Sequence, residues 1–300
     1  MSKISIVTGG CGFIGSHIVD ELVKRGDEVI VIDDMSAECN EEFYKNDEAT
    51  YLAESITNYE AIKGAFKGVS NVFHLAAESR IQPTLERPQD ACKTNFVGTC
   101  NVLQAAREAG ASRVIYSSTS SGYGLKNEPP LQEDMPRDCL NPYSVSKVAA
   151  EDLCKMYYTL WGLPTITFRY FNIYGERQPL KGQYAPVIGI FLRQKAANEK
   201  LTIVGDGSQR RDFTHVSDVV QINMLAADTN NENCFGETFN VGTGTNQSIL
   251  EVAKMIEHEY TMIEPRLGEA ETTLADISKA KSFLNYEPSV KLEDWIKNNK

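Results

Sequence analysis

Tyr143 and Lys147 are four residues apart in Asn141-Pro142-Tyr143-Ser144-Val145-Ser146-Lys147, a stretch that reads as the opening of a helix. Pro142 suits the first helical turn, where a missing N–H costs nothing, and a spacing of four sets both side chains on one face. A tyrosine of ordinary pKa, about 10, is a poor base at neutral pH. A cation held beside it lowers that value into the useful range, and Lys147 is placed to be that cation. The pair could then take a proton from a substrate hydroxyl and return it. About 24 residues earlier lies Ser117-Ser118-Thr119-Ser120-Ser121-Gly122. A hydroxyl there could bond a substrate oxygen and relay its proton to Tyr143, or the loop could simply satisfy its own backbone.

A Tyr-x-x-x-Lys pattern alone is common; its weight comes from what precedes it. Thr8-Gly9-Gly10-Cys11-Gly12-Phe13-Ile14-Gly15 reads as G-x-G-x-x-G from Gly10 or as G-x-x-G-x-x-G from Gly9. In either reading the glycines allow a tight turn and bring backbone N–H groups to a pyrophosphate at a helix N-terminus. Asp33 follows Gly15 by 18 residues, where a carboxylate bonds a ribose 2′-hydroxyl and repels a 2′-phosphate. The pattern therefore predicts NAD in preference to NADP. A bound nicotinamide ring would add a second positive charge near Tyr143.

These residues need a scaffold, and the first half of the chain reads as one. Ile4-Ser5-Ile6-Val7-Thr8 is a buried-strand pattern, followed by the glycine turn and a helix over 14–25 that Gly26 stops. Glu28-Val29-Ile30-Val31-Ile32, Val72-Phe73-His74-Leu75, Arg113-Val114-Ile115-Tyr116-Ser117 and Thr165-Ile166-Thr167-Phe168-Arg169 continue the strands, with helical patterns over 58–67, 94–109 and 143–161. Continuous Val/Ile strands alternating with helices predict an α/β protein with a Rossmann-type doubly wound parallel sheet. After residue 172 turn-rich stretches take over. Helices over 186–198 and 248–259, a strand at Phe239-Asn240-Val241-Gly242 and a fraying tail at 297–300 are expected. The expected division is a dinucleotide-binding domain over 1–171, with a return of the chain near 206–245, and a smaller, mainly substrate-binding domain over 172–300.

Three hundred residues can bury one large core or two interlocked ones. Acidic residues outnumber basic ones 41 to 30, for a net charge of −11, a balance opposed to nucleic acid and to anionic membrane surfaces. No apolar run approaches the roughly 18 residues of a bilayer span, and the run from Ile4 to Gly9 is too short for a signal-peptide core. The seven cysteines include no C-x-x-C. They read as free thiols in a reducing cytoplasm, with no metal site.

With these motifs in order, the chain resembles the extended short-chain dehydrogenase/reductase family, and within it the nucleotide-sugar 4-epimerases of the UDP-galactose/UDP-glucose type. The resemblance covers nearly the whole chain. It rests on Gly9 to Gly15, His74-Leu75-Ala76-Ala77, Asn95-x-x-Gly98-Thr99, the serine loop, Tyr143 to Lys147, Arg169-Tyr170-Phe171-Asn172, Gly207 to Val219 and Ala275-Asp276-Ile277-Ser278-Lys279-Ala280. It implies Tyr143, Lys147 and Thr119 as the catalytic set. It implies cofactor contacts from Gly9, Gly12, Phe13, Ile14, Gly15, Asp33, Ser55, Ile56, Leu75, Ala76, Ala77, Asn95, Ser117 and Tyr170 as well as from Tyr143 and Lys147. On the substrate side it implies Thr119, Tyr143, Asn172 and Val204, two diphosphate-clamping arginines, Arg211 and Arg266, and Thr273 beside the sugar. His74 and His215 read as structural. It also implies a homodimer built from the helices over 94–109 and 143–161, where Val148, Leu153, Met156, Tyr157 and Leu160 offer apolar surface.

Two departures stand out. Relatives commonly carry Gly-Asp-Ile at the adenine pocket, and this chain has Glu54-Ser55-Ile56. Dehydratases and decarboxylases of the family carry a carboxylate directly after the catalytic Thr or Ser, and here Ser120 and Ser121 follow. The expected activity is NAD-dependent 4-epimerisation of a nucleotide-diphosphate sugar, with UDP favoured. A small Thr273 leaves room for an N-acetyl group. A dehydratase, decarboxylase or 4-ketoreductase of the same family, and a non-catalytic NAD-binding sensor, remain as alternatives.

Overall fold

The computed structural model of the chain describes residues 3–37, 42–180, 186–264 and 270–300. In chain order the described strands are β1 (Ile4–Thr8), β2 (Glu28–Ile32), β3 (Thr50–Leu52), β4 (Asn71–His74), β5 (Arg113–Thr119), β6 (Thr165–Tyr170), β7 (Ile173–Tyr174), β8 (Leu201–Val204), β9 (Arg210–Arg211), β10 (Thr214–His215), β11 (Glu237–Val241), β12 (Gln247–Ser248) and β13 (Tyr260–Ile263). The helices are α1 (Phe13–Lys24), α2 (Tyr59–Ile62), α3 (Ile81–Glu86), α4 (Pro88–Cys92), α5 (Thr99–Ala109), α6 (Pro142–Trp161), α7 (Val187–Ala196), α8 (Val216–Asp228), α9 (Ile249–Ile256), α10 (Ser278–Leu284) and α11 (Leu292–Asn299).

Seven of the strands form one parallel sheet in the order β11-β6-β5-β4-β1-β2-β3. Val7 of β1 lies opposite Val31 on one side and Phe73 on the other. The chain starts in the middle, winds outward through β2 and β3, then returns to β4 and winds the other way. That reversal between β1 and β4 leaves a crevice at the strands' carboxyl ends, the ligand position of open α/β sheets. One face is covered by α1, α8 and α10, through Ile18, Leu22, Val219, Ile222 and Leu284. The other is covered by α5 and α6, through Val102, Leu103, Ala106, Ala150 and Tyr157. A separate core joins α7, β8, α9 and α11 around Phe191, Ile203, Val252 and Ile296.

The doubly wound sheet agrees with the sequence expectation. Several elements differ in detail. The helix expected over 94–109 begins with a π-helical stretch, Lys93–Gly98, before α5. The one over 58–67 is α2 followed by a 3₁₀ segment, Lys63–Phe66. The tail does not fray: α11 runs to Asn299, with Leu292 and Ile296 buried. β3 and α8 were not expected. Helix α8 buries Val216, Asp218, Val219, Ile222, Asn223, Met224, Ala226 and Ala227, so it lacks the single apolar stripe by which a surface helix is recognised. Among the described residues no helix is long and apolar enough to cross a membrane.

Candidate active site

The crevice opens into a cavity of about 1360 Å³. Its floor is the turn between β1 and α1. Gly9 has φ +71°, and a Cβ there would lie 2.7 Å from the Ala76 backbone nitrogen; a Cβ on Gly15 would lie 2.1 Å from the Gly9 carbonyl oxygen. Both positions therefore exclude any side chain. Helix α1 begins at Gly12 with no side-chain cap and no acid in its first turn. Its leading N–H groups are left for an anion. Gly9, Gly12, Phe13, Ile14 and Gly15 all line the cavity.

Asp33 stands just beyond β2 on the same wall. Its carboxylate accepts from Cys11 N at 2.9 Å and Met35 N at 2.8 Å, tying the strand end to the glycine turn. Burial pushes its pKa up, and those two N–H bonds pull it back. Ser55 and Ile56 line the cavity after β3, with Ser55 Oγ 3.1 Å from Thr57 Oγ1. Leu75, Ala76 and Ala77 follow β4, and Leu75 N and Ala76 N both donate to Thr8 Oγ1 at 3.2 Å. Ser117 and Tyr170 join the wall, Ser117 Oγ donating to Tyr170 Oη at 3.1 Å. An uncapped helix start, a side-chain-free turn and a carboxylate at the next strand end fit a dinucleotide. Asn95 is fully buried and stands behind the wall. It accepts from Glu78 N at 2.8 Å and donates to Ser146 Oγ at 3.0 Å, fastening the loop after β4 to α6. His74 bridges Thr8 Oγ1 (2.7 Å) and Thr99 Oγ1 (2.8 Å), and burial pushes its pKa down to about 3. That is a neutral, structural ring.

At the far end of the cavity α6 begins in a capping box: Asn141 Oδ1 accepts from Ser144 N at 2.9 Å and Ser144 Oγ from Asn141 N at 3.3 Å. The box fixes the turn that carries Tyr143. Tyr143 is half-buried in the cavity wall. Burial pushes its pKa up, while a hydrogen bond with Thr119 and the charge of Arg80 pull it down. Thr119 ends β5, and its Oγ1 accepts from Ser121 N at 3.1 Å, a local turn that orients it. Lys147 is buried, with Nζ 4.4 Å from the centroid of the Tyr116 ring. Burial pushes its pKa down to about 7 against the pull of Cys154 and Glu151.

The cavity is also lined by Asn172, Val204, Arg211 and Thr273. Asn172 Nδ2 donates to Asp212 O at 2.9 Å and to Thr273 Oγ1 at 3.2 Å, so two residues 101 positions apart meet at the site. The Asp212 carboxylate collects Thr243 N (2.8 Å), Gly244 N (3.1 Å) and Ala275 N (3.1 Å). It thereby anchors the stretch carrying Thr273 beside Arg211. Arg266 lies outside the described residues. Sequence reasoning passed over Val187, Ile190 and Phe191 of α7 and Phe213, which give this end of the cavity its apolar lining. It also passed over Arg80, whose only trace is an isolated arginine shortly after Ala76-Ala77.

Fold and cavity together define a short-chain dehydrogenase/reductase acting at a nucleotide-binding crevice. The model of the GDP-mannose 4,6-dehydratase family matches residues 6–299, and the chain belongs to that family. It is 35% identical to a putative UDP-glucose 4-epimerase of Methanocaldococcus jannaschii, with 98% of each chain covered. It is 37% identical to a UDP-N-acetyl-α-D-glucosaminuronate decarboxylase of Bacillus cytotoxicus, covering 99% of this chain and 96% of the other. The solved UDP-glucose 4-epimerase of Thermotoga maritima, holding UDP-glucose, superposes with a TM-score of 0.92 at 33% identity, over 99% of this chain and 97% of that one. Further solved structures of this fold, 28–30% identical, hold NAD.

Proposed function

We propose that the protein is an NAD-dependent 4-epimerase of a UDP-hexose or UDP-N-acetylhexosamine. The observation that carries this reading is that Tyr143 and Thr119 face the same cavity as the glycine cradle and Arg211, with Ser120 and Ser121 where a dehydratase would carry its acid. Gly9 to Gly15, Asp33, Ser55, Ile56 and Leu75 to Ala77 would hold the cofactor, and the Asp33 carboxylate favours NAD over NADP. When bound, NAD supplies the acceptor and then the donor of the sugar's C4 hydride.

The chain's own residues do the rest. Tyr143, as phenolate, takes the proton of the 4-hydroxyl, directly or through Thr119 Oγ1. Arg211, with Asn172 and the Arg266 of the expected clamp, keeps the diphosphate in place while the 4-keto sugar turns about it. Tyr143 then returns the proton to the 4-oxygen of the inverted sugar. A remote handle holding a mobile reacting part requires firm contacts at the diphosphate and loose ones at the hexose. The decarboxylase relative supports a second reading, and one experiment separates the two. The NAD-loaded protein is incubated with UDP-, GDP- and dTDP-hexoses, UDP-N-acetylhexosamines and UDP-uronates, and products are separated by epimer. A mixture of C4 epimers is expected. Release of carbon dioxide or of a 4-keto-6-deoxy sugar would replace the 4-epimerase with a decarboxylase or dehydratase. Bound NAD with no turnover would assign a sensor.

Thr273 sets the width of the sugar end in this reading. The wild-type protein is expected to accept the N-acetylated and the plain UDP-hexose alike. Thr273→Tyr fills the space with a ring and is expected to lower kcat/KM for the N-acetyl sugar at least about tenfold, with little change for the plain one. Competition between the two sugars checks this, and equal handling by the variant would show that Thr273 is not the gate.

We also assign a homodimer, in a cytoplasmic enzyme. Val148 and Tyr157, two of the residues the sequence offered for the contact, are buried in the core. Leu160, also offered, is exposed, and it is joined by Phe96, Val97, Val145 and Trp161, on α6 and the π-helical segment packed beside it. Light scattering at micromolar concentration is expected to give a dimer mass, and a monomer mass would refute the assignment.

A further inference from the structure

Helix α8 packs Val219 and Ile222 into the core beneath the sheet, and beside them it buries an amide, Asn223, completely. Asn223 Nδ2 donates to Val219 O, one turn back, at 2.8 Å and to Tyr170 Oη at 2.9 Å. Its Oδ1 is buried with no partner among the described residues, and a dry amide oxygen costs stability. The fold alone would be better served by an apolar side chain at this position. The hydroxyl that Asn223 holds belongs to a residue of the cavity wall, as does the hydroxyl of Ser117 bonded to it. We propose that Asn223 is a positioning residue for the cofactor: its N–H occupies the α8 side of Tyr170 Oη and so turns the one spare hydrogen of the Ser117–Tyr170 pair into the cavity, toward the carboxamide oxygen of NAD. The inference rests on NAD as the cofactor and not on the reaction.

The case rests on counting hydrogens. Two hydroxyls carry two, and one is used between them, in the 3.1 Å bond of Ser117 Oγ and Tyr170 Oη. One hydrogen is left over whichever hydroxyl gives the bond. The pair's other protein partner among the described residues is Asn223, which donates and so cannot take it. The amide cannot be turned over to accept, because its nitrogen is also committed to the Val219 carbonyl. Burial pushes the Tyr170 pKa up to about 12, so the phenol keeps its hydrogen at neutral pH. What it faces follows from the sheet. The glycine turn suits the pyrophosphate and Asp33, beyond β2, the adenosine ribose, so the second nucleoside runs the other way, over the carboxyl ends of β4, β5 and β6. Tyr170 is in register with Thr119 across β5 and β6, which sets it where the reactive ring meets the substrate end. The strong hydrogen-bond acceptor on that ring is the carboxamide oxygen.

Binding tests this without turnover. The full chain, stripped of nucleotide, is titrated with three ligands: NAD, its 3-acetylpyridine analogue, which keeps the carbonyl oxygen and loses the amide nitrogen, and ADP-ribose, which lacks the pyridine ring. Asn223→Leu is expected to weaken NAD and the analogue alike, by about fivefold, and to leave ADP-ribose unchanged. On a Tyr170→Phe background the same substitution should have no further effect, because Asn223 acts through that hydroxyl. Should the leucine variant misfold, Asn223→Ala takes its place. An equal loss for ADP-ribose would make Asn223 a structural residue or a ribose contact and overturns the proposal. Unchanged NAD affinity, a loss for NAD that spares the analogue, or additive effects of the two substitutions also overturn it. Wild type that bound neither NAD nor ADP-ribose would sink the cofactor reading and this inference with it. If no UDP sugar is turned over yet NAD affinity still follows Asn223, the 4-epimerase reading fails and this one stands.

Discussion

Tyr143→Phe is expected to cut turnover about 10²-fold or more while NAD remains bound. The substitution removes one oxygen and keeps the ring. The capping box of Asn141 and Ser144 that sets the first turn of α6 is untouched, and so are the glycine turn and Asp33 at the other end of the cavity. A loss confined to kcat, with cofactor stoichiometry unchanged, separates a missing base from a disturbed fold. Turnover within a few-fold of wild type would remove Tyr143 from the chemistry. Thr119 would then be the group to test next, since its hydroxyl lines the same cavity as Tyr143.

Glu151→Ala is expected to lower stability by about 3–5 kcal/mol. Glu151 is 3% exposed and Arg169 5%. Their carboxylate and guanidinium meet through two bonds, Nη2 to Oε2 at 2.7 Å and Nε to Oε1 at 3.0 Å. Ser118 Oγ donates to the same carboxylate at 2.5 Å, and the Arg169 guanidinium lies 4.8 Å from the centroid of the Tyr123 ring. Burial works against the Arg169 charge, and the Glu151 carboxylate more than offsets it, leaving the arginine's pKa raised. Removing the carboxylate strands that cation. Replacing both partners by Met is expected to be less damaging than either single change, because no charge is then left without its partner. Urea unfolding of the two single variants and the double variant checks the sign of this coupling. A loss below about 1 kcal/mol for Glu151→Ala would place the pair in the weak class of exposed ion pairs.

The parts of this molecule that could be read from sequence are those whose physics is local. β1, β2, β5 and β6 are short runs of Val and Ile because a strand in a parallel sheet is covered on both faces, and Ile6, Val7, Val114 and Ile166 are fully buried. The glycine turn declares itself because Gly9 and Gly15 have no room for a Cβ. Tyr143 and Lys147 share a helix face by spacing alone. What escaped notice depends on distant partners. β3 is three residues of TYL at the sheet edge, too short to carry a pattern. Asp212 matters because residues 243, 244 and 275 all donate to it. The expected charge role of Lys147 needed the same kind of information. Spacing places it near Tyr143, but only its depth brings its pKa to about 7.

The seventh strand of the sheet has a consequence for synthesis. β6 ends at Tyr170, but its outer neighbour β11 begins only at Glu237, and Phe239 and Val241 belong to the same core as Phe168 and Tyr170. At a translation rate of about 10 residues per second, β6 waits several seconds on the ribosome for its partner. Through that interval it presents an open, apolar edge, the template on which nascent chains recruit one another. A fragment stopped near residue 171 would keep that edge permanently. Expression and fusion designs for this enzyme therefore have to carry the chain past Val241 before a linker or a stop is introduced, and a holdase working during those seconds should improve the soluble yield.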